Sequence, residues 1–496
     1  MARSAGVVLF RKSTLLNEPP RRFAAPRLGR GGEISSACDF VCKAAQLLFD
    51  FGSLGQQCLT AGRGLGFCML SIVFFFARVT SGFGQNYTQR GFVETRATGY
   101  PETTPADRAH TVGEALLRYE GFYKPSSKLQ VSGALDLRTD THRQVERRFD
   151  ASWWDREQRR PMLSVRRLSA TYHTGGLTIE AGKQFIRWGK ADLLNPTDRF
   201  APRDFLTVLD NDFLGITAAR LSYERGADTV EAVLSPRFTP SRLPLQDQRW
   251  VVLPANTPQF VVFRDGGARF PGGPQTGFRW NHIGLVEFSG SFYEGFNHLP
   301  SLAEHATFVD RPSASPPPQT FSPPFTPPSS LLVIELQRFY PKMRMLGADL
   351  AFPLHWFSLK GETAYFSSKD PRADEYAQYV LQLERHSGEW TFVSGYAGEA
   401  LTRTGTQDGT FAPDRGFTKT FLGTARLTID ANRSIAFDAS VRQNLDGAWT
   451  RAEYSQTLGQ HWRATANFSV IFGKPTDFLG QYRHNSHATL ILRYSF

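Results

Sequence analysis

Beyond residue 128 apolar and polar residues alternate with a period of two, in segments of about ten residues. In "KLQVSGALDLR", Leu129, Val131, Gly133, Leu135 and Leu137 alternate with Lys128, Gln130, Ser132, Ala134, Asp136 and Arg138. "SIAFDASVR" and "WRATANFSVIF" repeat the pattern, from Ser434 to Arg442 and from Trp462 to Phe472. Period two means strands with one apolar and one polar face. A sandwich of two sheets has that pattern, and so does a barrel in a membrane.

Three features select the barrel. Segments of about ten residues suit a tilted strand crossing hydrocarbon. Connections alternate between short and long. The short ones lie near 174–176, 225–227, 353–356, 386–389, 430–433 and 458–461; the long ones fill 139–160, 189–212, 237–274, 298–330, 367–375, 400–416 and 473–485. Bacterial barrels have this asymmetry, with short periplasmic turns and longer outer loops. Aromatic residues collect at strand ends. Tyr172, Tyr223, Phe352, Tyr454, Tyr494 and Phe496 fall toward the short turns, and Phe296, Tyr365, Tyr396 and Phe472 toward the long loops. Such rings mark the two interfaces of a bilayer.

The expected fold is therefore all-β: a transmembrane antiparallel up-and-down barrel of about 16 strands. Its strands run from 128–138 to 486–496, with 331–352 as one long strand and a hairpin turn at 282–284. An even number places both chain ends on the short-turn side.

All four cysteines, Cys38, Cys42, Cys58 and Cys68, fall in the first 68 residues of 496. "GLGFCMLSIVFFFA" (Gly64 to Ala77) has the length of a signal-peptide core, with small residues, Gly82 and Gly84, at −3 and −1 of a cleavage after Gly84. Residues 1–62 are expected to be an over-extended, disordered gene start, 63–84 a signal peptide, 85–127 a periplasmic lead-in, and 128–496 the barrel. The Pro-rich 311–330 reads as a mobile outer loop. Residues 1–84 hold ten of the 57 Lys and Arg and four of the 46 Asp and Glu, so over half of the formal +11 belongs to the leader. The basic pI thus gives no ground for nucleic-acid binding. The expected location is the bacterial outer membrane, with outer-membrane lipid as partner.

The polar half of the alternation should line a wide lumen. That half contains Asp136, Arg138, Thr178, Glu180, Gln184, Arg220, Ser222, Glu224, Glu231 and Glu287. It continues with Lys360, Glu362, Gln382, Glu384, Arg426, Asp438, Arg442, Arg451, Glu453 and Arg463. Both signs mix, which implies weak ion selectivity. The outer connection in "GKQFIRWGKADLLNPTDRFAPRDF" (Gly182 to Phe205) is dense in Asn, Pro, Asp and Arg. Its prolines restrict the residues before them, and its Asp and Arg residues can pair. One reading folds it inward as a constriction with Arg187, Arg199, Arg203 and Asp204 facing the solute. The other packs it on the rim, its charges pairing with one another. The 237–274 connection is too apolar for a free tail and can also enter the lumen.

No nucleophile, zinc-protease or phosphate-loop motif occurs, so no catalytic residue, metal or cofactor is expected. The last strand, "HATLILRYSF", ends on an outward face with Leu492, Tyr494 and Phe496. A terminal aromatic on such a strand resembles the sorting signal read by the barrel assembly machinery.

The Gly182–Phe205 stretch, "FYEGFNHLP", Tyr340 to Phe366 and "GEWTFVSGYAGE" together resemble a poorly characterised group of porin-like bacterial outer-membrane proteins, with a distant similarity to the alginate-export channel. The resemblance covers roughly 125–496 and implies a barrel, its location and no catalytic residues. The expected function is a porin or diffusion channel for small polar solutes, constricted by 189–212. The alternative is a non-channel protein that anchors or assembles envelope polysaccharide through its outer loops.

Overall fold

The computed structural model describes residues 86–496 apart from 253–257, 259, 311–329 and 407–410. The gene-start and signal-peptide expectations lie outside the described residues, as does nearly all of the Pro-rich loop.

Eighteen antiparallel strands form one closed barrel. The first half comprises β1 (Tyr87–Gly99), β2 (Thr111–Tyr123), β3 (Leu129–Asp140), β4 (Leu163–Thr174), β5 (Leu177–Gln184), β6 (Ile216–Arg225), β7 (Asp228–Ser235), β8 (Gln275–His282) and β9 (Glu287–Phe296). The second half comprises β10 (Lys342–Pro353), β11 (Ser358–Ser367), β12 (Glu375–Ser387), β13 (Trp390–Arg403), β14 (Thr420–Thr428), β15 (Arg433–Arg442), β16 (Gly447–Leu458), β17 (Trp462–Gly473) and β18 (His487–Ser495). Each strand pairs with its sequence neighbour, and β18 returns to β1 with Phe92 opposite Ser495 and Gly99 opposite Ala488. Closure leaves no barrel strand with an open edge.

The expected 16 strands fall two short because 85–127 is not a lead-in: it supplies β1 and β2. The reason is visible in their residues. In "YTQRGFVETRATG" the outward face mixes Tyr87 and Val93 with Gln89, Gly91, Thr95 and Ala97, so little separates it from the inward face. In "TVGEALLRYEGFY" the adjacent Leu116 and Leu117 interrupt the alternation. Even parity survives, and both ends of the barrel lie at the short-turn rim.

The expected strand 331–352 is two strands. Ser330–Phe339 ends before Tyr340-Pro341, where the proline has no N–H for a ladder. That segment leaves the barrel. It pairs antiparallel with Ser301–Asp310 and parallel with Val261–Arg269, joining the two longest outer connections in one three-stranded sheet. The expected hairpin at 282–284 is present between β8 and β9.

Along each barrel strand the two faces differ as a membrane requires. On β12, Tyr379, Leu381 and Leu383 point out and are exposed, while Gln378, Val380 and Gln382 point in and are buried. On β17, Phe468, Val470 and Phe472 point out against Asn467, Ser469 and Ile471 within. Tyr172, Tyr223, Tyr454, Trp390 and Trp462 are exposed near the short turns; Tyr365, Tyr379, Phe421 and Phe472 are exposed near the long loops. An exposed apolar band with aromatic edges is the surface of a barrel that spans a lipid bilayer.

Candidate functional site: a charged cavity beside an inward loop

The connection from β5 to β6 (185–215) carries Ile186, Trp188, Leu193, Leu194, Phe200, Phe205, Leu206, Val208 and Leu209, all buried. In water each would forgo roughly 1.5–3 kcal/mol of burial. The connection buries them by folding into the lumen. Leu193 and Leu194 join the inward-facing Val380, Val393, Leu422, Trp449 and Ile471 in one apolar cluster. Trp188, Phe200 and Tyr293 stack edge to face, with centroids 5.2 and 5.0 Å apart. Gly277 on the β8 wall makes room for that stack, since a Cβ there would lie 2.4 Å from the Phe200 ring.

The tip of the connection is held by the wall. The Glu362 carboxylate accepts from Thr197 N (2.8 Å), Thr197 Oγ1 (2.7 Å), Lys190 N (3.2 Å), Ala191 N (3.2 Å) and Asn195 Nδ2 (3.3 Å). Gln382 Oε1 accepts from Asp192 N at 2.8 Å, and its Nε2 donates to Asp192 Oδ2 at 2.9 Å. Lys360 donates to the same Asp192 oxygen, and Lys190 Nζ reaches Glu287. Gly189, at φ 97°, brings the backbone against Glu362; a Cβ there would lie 2.5 Å from the carboxylate. The sequence "GKADLLNPTD" is thus a set of donors wrapped around one wall carboxylate.

The four residues expected to face the solute take different roles. Asp204 is buried between Arg160, at 2.9 Å, and Arg242, at 2.6 Å. Burial alone would raise its carboxyl; Arg160 and Arg242 outweigh that and hold it well below the usual carboxylate range. Arg199 pairs with Asp414 at 3.2 Å and lies over the Phe366 ring. Arg187 pairs with Asp198, and Arg187 and Arg203 both lie over the Phe213 ring. Burial first, then the charge of Arg187, lowers Arg203 to about 9, so it stays a cation at neutral pH. The connection folds inward, and its charges largely bind one another and the loops around them.

The residues expected to line the lumen sit on inward faces, and most of them are engaged. Glu180 pairs with Arg167, Arg220 with Glu231, Arg451 with Asp438, and Glu384 with Lys360. Arg442 binds Asp477 and the carbonyls of Gly416 and Thr418, and Arg463 donates to Ser455. Gln184 is buried and donates to Ala218 O. Glu453 lies on the inner face beside Arg451. Glu224 and Arg426 are exposed toward the short-turn rim. Lys360, Glu362 and Gln382 hold the loop; Glu362 and Gln382 are buried, while Lys360 stays partly exposed. Asp136 and Arg138 do border a cavity.

That cavity, of about 190 Å³, follows the wall from β18 through β4. It is an order of magnitude larger than one water needs. It extends from Arg493, three residues from the chain end, to Val145 and Arg160 in the outer connection after β3. Seven arginines border it: Arg96, Arg118, Arg138, Arg160, Arg166, Arg242 and Arg493. Seven carboxylates balance them: Glu94, Glu114, Asp136, Asp155, Asp204, Asp210 and Asp212. A bulge in β4, opposite Ala134 and Leu135, points both Arg166 and Arg167 inward, so Arg166 reaches Asp212 while Arg167 reaches Glu180. Asp212 keeps 44% of its side chain exposed, and its partial loss of water would raise it; Arg166 and Arg118 outweigh that and bring it to about 2.

Sequence reasoning missed most of this cavity, because its wall is built largely from the two unrecognised strands. The signal lay in "RGFVETRAT" and "EALLRYE", where Glu94, Arg96, Glu114 and Arg118 recur at even positions.

The 236–252 segment packs against neighbouring outer connections. Arg242 joins Asp204, Gln248 donates to His142 O, and Arg249 lies over the Tyr100 ring and donates to Ala109 O.

No protein-family model and no curated protein matches the chain. Solved structures are similar to it in chain path. A BenF-like porin from Pseudomonas fluorescens Pf-5 aligns with TM-score 0.48 and 9% identity over 84% of this chain and 99% of its own. Pseudomonas aeruginosa OpdQ gives 0.44 and 10% over 83% and 99%, and Acinetobacter baumannii OccAB1 gives 0.45 and 9% over 84% and 97%. The expected similarity to the alginate-export channel is not confirmed by these likenesses. By its own strand register, apolar exterior and charged interior, the chain has the architecture of a porin-like outer-membrane β-barrel.

Proposed function

We propose that this protein is a bacterial outer-membrane diffusion channel that passes small polar solutes along the β18–β4 wall. One observation carries the reading. The inward connection is packed against the far wall through Glu362, Gln382 and an apolar cluster, and the charged cavity lies between it and the near wall. A lumen wide enough for water is thereby reduced to a narrow, charge-lined path. The polysaccharide-anchor reading calls for a binding groove on the outer loops, whereas this cavity runs inside the barrel.

The test is reconstitution. The purified barrel in planar bilayers is expected to give discrete conductance steps, and proteoliposomes are expected to swell in small sugars but not in large oligosaccharides. A folded barrel with neither property would overturn the reading.

We also infer that Phe496 acts during assembly. It exchanges backbone hydrogen bonds with Gly91, both at 2.9 Å, so it belongs to the closing seam. Phe496→Ala is expected to lower the amount of assembled barrel in cells while refolding normally from denaturant into lipid, read as heat-modifiable gel mobility. Equal loss in both settings would make the residue a seam element without a signalling role.

A further inference from the structure

Most short turns of the barrel are polar or small, such as "KPSSK" at 124–128, "GG" at 175–176 and "GQ" at 459–460. Two are not. The turn from β8 to β9 contains Ile283-Gly284-Leu285-Val286, and the turn from β10 to β11 contains Leu354-His355-Trp356-Phe357. They are neighbours on the rim, because β9 pairs with β10 from Glu287 opposite Ala351 onward. Leu285 is 91% exposed and Trp356 69%, and Ile283, Leu354 and Phe357 are exposed with them. Large apolar side chains clustered at the edge of a surface call for a cover.

The strands that lead into these turns are short of apolar surface. A strand needs about 9–11 residues to cross hydrocarbon. On β17 the outward residues from Trp462 to Phe472 are all apolar, a span of eleven residues. On β10 the outward face begins instead with Lys342 and Arg344, both more than half exposed. They pair at 2.6 and 3.0 Å with Glu294 of β9, which points outward between the inward Tyr293 and Gly295. Three charges on the lipid side mark the level of the outer headgroups, since a charge nearer the middle of the bilayer costs far more. Beyond them β10 offers only Leu346, Ala348, Leu350 and Phe352 before it ends at Pro353. That span, 346–352, is seven residues. Continuing it to Trp356 gives eleven, the span found on β17.

The turn residues also have the composition of an interface. Arg385 of β12 lies over the Trp356 ring, 5.9 Å from its centroid. An indole sits well among headgroups, and a guanidinium beside it reaches lipid phosphate while its stem stays on apolar surface. The patch continues the exposed apolar band through Phe288 and Leu350, so lipid already borders it along that side.

We propose that the 283–286 and 354–357 turns are immersed in the periplasmic leaflet, where phospholipid chains cover Leu285 and Leu354 and Trp356 lies at the headgroup level. Turn residues then complete a hydrocarbon band that β9 and β10 begin. The inference rests on the barrel's place in the membrane and not on conduction.

The experiment puts an environment-sensitive fluorophore on Leu285→Cys or on Gln460→Cys. The full chain is used, with Cys38→Ser, Cys42→Ser, Cys58→Ser and Cys68→Ser, in liposomes of phosphatidylethanolamine and phosphatidylglycerol. Folding is checked by heat-modifiable gel mobility. The label on Leu285→Cys is expected to lose most of its emission to lipid brominated on its acyl chains and little to aqueous iodide. The label on Gln460→Cys is expected to do the reverse. The emission that Trp356→Phe removes from wild type gives a check without a label, and brominated lipid should quench it too. A label on Leu285→Cys that iodide reaches freely overturns the inference; shielding that then returns in outer-membrane vesicles assigns the turns to a periplasmic protein instead. Shielding that appears only at high protein-to-lipid ratio also overturns it, by making a second copy of the chain the occupant.

Discussion

Glu362→Ala is expected to give a channel of several-fold higher and noisier conductance. The Glu362 carboxylate accepts from five donors on residues 190–197, and four of those hydrogen bonds come from backbone N–H groups or Asn195. Alanine leaves these donors facing a hole. Each buried donor left without a partner costs about 1–3 kcal/mol, less whatever water recovers. The apolar grip of Leu193 and Leu194 remains, so the loop loosens and is not expelled. Glu362→Gln discriminates further. It presents an amide N–H₂ to sites that need acceptors, so it is expected to behave more like Ala than like Glu. The measurement is single-channel conductance with its variance, on protein whose folding is checked by gel mobility. A correctly folded Ala variant with wild-type conductance and noise would show that the loop needs no wall carboxylate.

The second large effect is expected from Asp204→Ala. Arg160 and Arg242 converge on this carboxylate, and Arg242 is buried. Removing one partner of a buried ion pair costs about 3–5 kcal/mol, because the charge left behind has lost both water and partner. Arg160 keeps Glu114 at 3.2 Å and Arg242 keeps Asp155 at 3.6 Å, which places the loss toward the lower end. The three segments that meet here come from the connections after β3, β5 and β7, so their outer ends should loosen together.

The pH dependence gives a second measure of the same group. The folded carboxyl is depressed, so its contribution is complete above the unfolded pKa of about 3.9 and is lost as pH falls through the lower folded value. The difference in thermal midpoint between wild type and Asp204→Ala should therefore hold steady from pH 8 to 5 and shrink below pH 4. A difference that vanishes already at pH 6 would mean that another group is responsible.

Barrel, side of the chain ends and inward faces were legible in the sequence because lipid and lumen impose opposite demands on alternate residues. β1 was illegible for the same reason inverted, since Gly91, Thr95 and Ala97 satisfy the lipid side without announcing it, and β2 because Leu116 and Leu117 break its alternation. The 182–205 stretch was recognisable as an ordered loop from its prolines and charges. Its partners were not, because Asp414, Arg160 and Arg242 become neighbours only through folding of other loops. Local sequence shows which residues can pair, and the barrel decides which do.

The carboxylate that receives Thr197 lies 165 residues downstream of it. Chain growth from the amino terminus therefore produces this loop long before its anchor. The seam is later still, since Phe92 waits for Ser495. Contacts so distant in sequence are slow to form. The loop therefore reaches its final place only once the strand that carries Glu362 has joined the sheet, and the bore depends on that late meeting.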